Sequence, residues 1–217
     1  MTPTSHCRCA LRGRPCRRPL AAVALAAAWF GASTLAHPAA ADTYVLDKEH
    51  TEVRVVWEHL GLTRQSARFR DVDGTVEFDA ADPEAGKVAV TIKVASITSG
   101  VASLDKLLVQ SRDYFDVERH PTITFKSTAV AKTGAKTGDV TGDLTINGIT
   151  RPAVLQVTWN FTGEHPLARF NPTFKDKTVS AFSATAVIRR GDWGITRFAP
   201  LVSDELQIGI EAEMLKK

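Results

Sequence analysis

Few side chains in this chain could do covalent or metal chemistry, and they are scattered. The three cysteines, Cys7, Cys9 and Cys16, all stand near the start. Downstream are His50, His59, His120 and His165, in separate runs of sequence. No two of them have the i, i+2 or i, i+4 spacing that lets a pair of imidazoles grip one ion, so no metal is expected. There is no G-x-S-x-G elbow, no H-E-x-x-H and no glycine-rich phosphate loop. Glu211 and Glu213 share a strand face opposite Ile210 and Ala212, and read as solubilising charge rather than an acid–base pair. These observations point away from an enzyme and from any cofactor.

The cysteines belong to a segment with its own logic. From Met1 to Ala41 there is no Asp or Glu, and the charges are Arg8, Arg12, Arg14, Arg17 and Arg18. An apolar run from Leu20 to Phe30 leads to Ala39-Ala40-Ala41, an A-x-A exit, with Thr34-Leu35-Ala36 as an alternative. A basic start, a short apolar centre and a small-residue exit make a secretory signal peptide, residues 1–41, and place the mature protein in the periplasm or outside the cell. The run is shorter than the about 20 residues of a membrane-spanning helix, so no integral segment is expected after cleavage. Cleavage removes five arginines and no acid, taking the formal charge from +3 to −2. The basic balance therefore belongs to the leader, and a nucleic-acid partner is not expected. Residues 42–217 form one domain, large enough for a core without disulfides.

That domain reads as all-β. Short runs with period-two alternation are separated by turn residues. Val53, Val55, Trp57 and His59 share one face, with Arg54 and Glu58 opposite; Val88, Val90, Ile92 and Val94 alternate in the same way. Asn147-Gly148 marks a two-residue hairpin, because a type I′ turn needs positive φ at both positions. The strand after it carries Ala153, Leu155, Val157, Trp159 and Phe161 on one side. Between Ser103 and Asp113 the period changes: Leu104, Leu107, Leu108 and Ser111 share a helical face, with Ser103 as N-cap. About eight strands and one short helix make a closed barrel or a sandwich. An eight-stranded barrel either fills with side chains or holds one small ligand, and the pattern leaves both open.

A set of short motifs runs through the domain in order: Tyr44-Val-Leu-Asp47 with His50-Thr51; Trp57-Glu-His-Leu-Gly61; Phe69 and Gly74-Thr-Val-Glu-Phe78; Asp113-Tyr-Phe-Asp116. His120-Pro-Thr-Ile-Thr-Phe-Lys126, Gly142-Asp-Leu-Thr-Ile-Asn-Gly-Ile-Thr150 and Arg190-Gly-Asp-Trp-Gly-Ile195 follow. In their order and spacing the chain resembles the YceI-like family of exported polyisoprenoid-binding proteins. The resemblance implies an extended, lipocalin-like, eight-stranded antiparallel β-barrel with one short helix. It also implies an elongated interior that takes the tail of a polyisoprenoid, a quinone or another long-chain amphiphile. Many members show Arg-Asp-x-His-Leu before the aromatic acidic stretch. Here Leu104-Asp105-Lys106-Leu107-Leu108 stands in that place, with leucines for the Arg and His.

The lining expected on this basis is Val53, Val55, Trp57, Phe69, Leu104, Leu107, Leu108, Tyr114, Phe115, Phe125, Phe182, Trp193 and Phe198. Ordinary core packing is the alternative for each. His50 and His59, at a strand end or near the tunnel mouth, and Asp105 and Arg112, flanking the helix, are the polar candidates for a head group. For Arg112 and Asp113 a surface ion pair is the competing reading. The expected function is a non-catalytic lipid carrier. An enzyme acting on a prenyl lipid and a stress-response interaction protein with a packed barrel are the alternatives. The oligomeric state stays open, a homodimer included.

Overall fold

The computed structural model describes residues 41–217, so the expected leader lies outside the described residues. The alternating runs become β1 (Asp42–Leu46), β2 (Glu52–His59), β3 (Thr63–Phe69), β4 (Val72–Phe78), β5 (Lys87–Lys93) and β6 (Ile97–Thr98). After one helix come β7 (Thr122–Lys132), β8 (Thr137–Ile146), β9 (Ile149–Glu164), β10 (Thr178–Arg189) and β11 (Glu205–Lys216).

Eleven segments make eight strands. β1 and β2 both lie along β11, with Tyr44 opposite Lys216 and Val53 opposite Ile210, so they are two halves of one strand interrupted at 47–51. β3 and β4 are likewise parted only by Arg70-Asp71, and β5 and β6 by a 3₁₀ turn, Val94–Ser96. The β1–β11 ladder closes the ring β1-β4-β5-β7-β8-β9-β10-β11, antiparallel throughout. A closed ring leaves no long strand edge for another chain to pair with. This is the antiparallel eight-stranded barrel, with one helix, that the sequence led us to expect.

Local chemistry sets its corners. Asn147 and Gly148 have φ of 51° and 73°, the type I′ signature, and join β8 to β9 through the pair Ile146–Ile149. β9, at 16 residues, spans roughly 50 Å at the usual rise per residue. Alternation fails at one point on it. Phe182 faces Trp159 but the neighbouring Ala181 faces Phe161, so Asn160 is an extra residue, a β-bulge. The bulge turns Phe161 out of the barrel, where it is exposed, against the expectation that it continues the inner row.

The helix, α1 (Ala102–Gln110), begins before its expected start, and Ser103 is inside it rather than capping it. What fixes the start is Asp105, whose carboxylate accepts from the Ser99 N–H and hydroxyl, each at 2.6 Å, and from the Thr98 hydroxyl at 3.0 Å. These bonds tether the first turn of α1 to β6.

The connections divide between two ends. At one end stand α1 with the turns of 111–121, the β2–β3 hairpin, the β8–β9 turn and the long β10–β11 connection. At the other are the β4–β5 loop, the β7–β8 hairpin, the β9–β10 loop and both ends of the described chain.

Candidate functional site

The barrel is hollow. A cavity of about 290 Å³ runs inside it, near the lower end of the roughly 300–1,000 Å³ usual for ligand pockets. Its wall is the inner row of each strand. On β9, Ala153, Leu155, Val157 and Trp159 line it while Val154, Gln156, Thr158 and Asn160 are exposed. The space exists because several inward positions are small: Ala153, Ala184, Ala186 and Ala212 all line the cavity. Leucine or isoleucine at those points would bring the wall side chains together.

The end bearing α1 is a floor. Trp193, Ile195, Ile146 and Phe69 are buried and line the cavity there, with Phe115 edge-on to Phe69 at 5.8 Å. Two groups hold this floor shut. The Trp193 indole N–H donates to the Leu144 carbonyl at 3.1 Å. The buried Arg190 donates from Nε, Nη1 and Nη2 to the carbonyls of Ser203, Ile195 and Val202, each at 2.8 Å. One guanidinium thus staples the β10–β11 connection over the base, while its stem adds to the lining.

The opposite end is a mouth. Here the lining reaches the exposed Ala80, Lys87, Lys132, Ala135 and Lys136, on the β4–β5 loop and the β7–β8 hairpin. Beneath it, Phe78 meets Trp159 and Phe182 edge-on at 5.4 and 5.1 Å. Phe78 is on β4, across the ring from β9 and β10, so the three rings bridge the lumen. The passage therefore runs on the side of β5, β7 and β8, past Val88, Val130 and Val140.

The structure brings together Val53, Val55, Phe69, Phe115, Phe125, Phe182 and Trp193 on the cavity wall. It places the others elsewhere. Trp57, Leu108 and Tyr114 are half-buried and pack against the core without reaching the cavity. Leu104, also half-buried, lies outside it, and Leu107 and Phe198 face outward with 40% and 52% of their surface exposed. α1 covers the barrel from outside, so its apolar face meets β6 and the floor turns rather than the lumen.

The polar candidates also lie outside the cavity. Asp105 is the tether of α1; its hydrogen bonds from Ser99 and Thr98 hold its carboxyl below the usual value. Arg112 is exposed, and it is Arg197 that pairs with Asp113. His59 is exposed on the β2–β3 hairpin, at the floor end. His50 sits on the outer wall, its Nδ1 3.0 Å from the Asp47 carboxylate, and that hydrogen bond raises its pKa. Burial pushes Asp47 up, but the bonds from His50 and the Glu49 N–H outweigh it and leave it lowered. None of these polar candidates lines the cavity, and His59 and the helix flank stand at the end opposite the open lip. Among the described residues no group of three His, Cys, Asp or Glu could hold a metal ion, and no helix is long and apolar enough to cross a membrane.

The YceI-like domain family matches residues 44–214, nearly the whole barrel. The chain belongs to the YceI-like family. It is 37% identical over 203 residues to a protein of Azotobacter vinelandii and 39% identical over 203 residues to one of Pseudomonas savastanoi pv. phaseolicola, each called a UPF0312 protein. Both comparisons span 93% of this chain, and 99% and 98% of the relatives. Among solved structures, BcnA of Burkholderia cenocepacia matches with a TM-score of 0.67 at 26% identity, over 77% of this chain and 98% of its own. A polyisoprenoid binding domain from Saccharophagus degradans matches at 0.56 and 12% identity, over 80% and 98%, which speaks to the barrel alone.

For this YceI-like chain, sequence reasoning missed the alanines of the wall and its aliphatic residues beyond Val53 and Val55. Its signal was present: alanines alternating with polar residues along β10 mark inward positions too small to fill a barrel. Phe78 and Trp159 were also visible, but only the closed ring shows that they meet.

Proposed function

We propose that the protein holds the hydrocarbon tail of a polyisoprenoid or similar long-chain amphiphile in its barrel and carries it outside the cytoplasm without altering it. A single observation supports this reading: a continuous apolar cavity with a stapled floor and one mouth. Each methylene moved out of water gains about 0.8 kcal/mol, so ten gain about 8. That is comparable with the cost of association, about 4–15 kcal/mol, and only a longer tail leaves a useful surplus. An apolar wall thus favours length over head-group detail. The head stays at the mouth, beside Lys132 and Lys136. Export rests on the basic, apolar, small-residue leader, and the absence of chemistry on a wall that offers no paired acid and base at the bottom of the cavity.

Organic extraction of the purified protein, followed by mass spectrometry, should yield a long-chain lipid. Ala184→Phe, which puts a ring into the open lumen, should abolish that yield while costing about 1–3 kcal/mol of stability. No lipid from the parent protein, together with no rise in melting temperature on adding prenyl compounds, would end the carrier reading.

A further inference from the structure

The mouth has a built neighbour. The β9–β10 loop, His165–Lys177, is ordered by its own contacts: the His165 ring stacks on Phe174 at 3.9 Å, and the Asn171 side chain accepts from the Thr173 N–H at 3.0 Å. On this frame the loop holds Phe170 and Leu167 out to solvent, with 75% and 47% of their surface exposed. The bulge on β9 adds Phe161 to the same end. An ordered loop has no need to show its largest apolar residues to water, and such groups mark contact surfaces.

Charge says what the contact is. The loop itself carries Arg169, Lys175 and Lys177 against Asp176, with Glu164 at its base; at the same end the β7–β8 hairpin adds Lys132 and Lys136 and the β4–β5 loop adds Asp79, Asp82 and Glu84. Among the described residues none of the five cations forms an ion pair, whereas Lys87 and Lys216 at the same end are paired with Glu77 and Asp42. The Arg169 guanidinium lies over the Phe170 ring at 5.4 Å, so cation and apolar tip point out together. The floor end also exposes Leu62, Leu201 and Phe198, but there Arg197 over Phe198 is already tied to Asp113.

From this we infer that the mouth docks on an anionic lipid bilayer, with Phe170 and Leu167 entering the interface and Arg169, Lys175 and Lys177 of the same loop meeting its phosphates. Apolar tips ringed by basic side chains are the arrangement that binds such surfaces. The inference builds on the carrier reading and goes beyond it. A tail that cannot cross water reaches the cavity only if the mouth comes to the membrane.

Sedimentation with vesicles of equal parts phosphatidylglycerol and phosphatidylcholine tests it, against vesicles of phosphatidylcholine alone. The purified protein should bind only the anionic vesicles, and less as salt shortens the reach of charge. Phe170→Ser with Leu167→Ser should cut partition about tenfold or more. Arg169→Glu with Lys175→Glu should cut it as far and flatten the salt dependence. Leu62→Ser with Leu201→Ser, at the floor end, should leave it unchanged. All six positions are exposed, so melting curves matching the parent show that each variant is folded. No binding to anionic vesicles, loop variants that bind like the parent, or an equal loss from the floor-end variant overturns the inference. These vesicles hold no polyisoprenoid, so the readout is separate from lipid extraction, on which the carrier reading stands or falls.

Discussion

The two ends of the barrel are built from the same meander yet do opposite things. At the floor, a buried cation and an indole N–H each close a segment over the lumen, and Trp193, Ile195, Ile146 and Phe69 are buried there. At the mouth, the Lys132 N–H donates to the Glu84 side chain at 3.1 Å, but among the described residues no segment is drawn across the lumen, and alanines, lysines and glycines stand on the lip. The difference teaches that a closed ring of strands does not by itself make a container. One end must be plugged by segments whose backbone polar groups find partners, because a buried carbonyl without one costs about 1–3 kcal/mol.

Removing the staple breaks this contrast most directly. Arg190→Met keeps the apolar stem but takes the donors from three carbonyls, of which that of Ile195 is the most buried. Sparing the cation its desolvation offsets part of the loss. The net cost should be about 2–4 kcal/mol by denaturant titration. The variant should also bind apolar dyes at the opened base. A cost below about 0.5 kcal/mol, the level of an ordinary surface change, would mean that Trp193 seals the floor alone.

The contrast between the ends also explains what could be read beforehand. Alternation in Val53–Trp57 and Ala153–Trp159, the Asn147-Gly148 turn and the family motifs are local signals, and they led to the barrel. The cavity wall was legible where a strand keeps its period, as at Val53, Val55, Phe125 and Phe182. It was not legible where the outcome depends on how distant segments meet. Leu104 and Leu107 carry the right chemistry for a lining, but α1 lies outside the ring. Phe198 follows a motif that reaches the floor, yet the staple turns the connection outward before it. Which end is plugged was not legible for the same reason, since it depends on Arg190 finding carbonyls 5 to 13 residues away.

A smaller effect is expected at the other end. Trp159 joins Phe78 and Phe182 across the lumen, its indole N–H donating to the Thr162 hydroxyl at 2.9 Å. It is only half-buried, so Trp159→Ala should cost less than the about 3–5 kcal/mol of a fully buried tryptophan, roughly 1–2. The kinetic consequence matters more. With the bridge broken the passage widens towards β9 and β10, and a bound amphiphile should leave faster, as followed by transfer of a fluorescent fatty analogue to acceptor vesicles. Arg190→Met, acting at the floor, should disturb stability more and release through the mouth less. If both variants speed release equally, the lumen empties from either end and the division drawn above fails.

The smallest effect belongs to neither end, and so separates wall from termini. Asp47 and His50 lie in the break between β1 and β2, where the outer wall bonds to itself in place of the ladder. The His50 pKa is raised above 6.5 in the folded protein by the Asp47 carboxylate, so its contribution is fully present below pH 6.5 and fades as pH climbs through the raised value. Asp47 is lowered from 3.8, so its contribution is present above that pH and fades as pH falls through the lowered value. Both act together between about pH 4 and 6.5. His50 is more than half exposed, which limits the pair to under about 1 kcal/mol. His50→Gln should therefore lose a little stability at pH 5.5 and almost none at pH 9, with lipid content unchanged at either. A loss that grows with pH would show that His50 is needed neutral, and a loss of lipid would bring the wall break into the binding site.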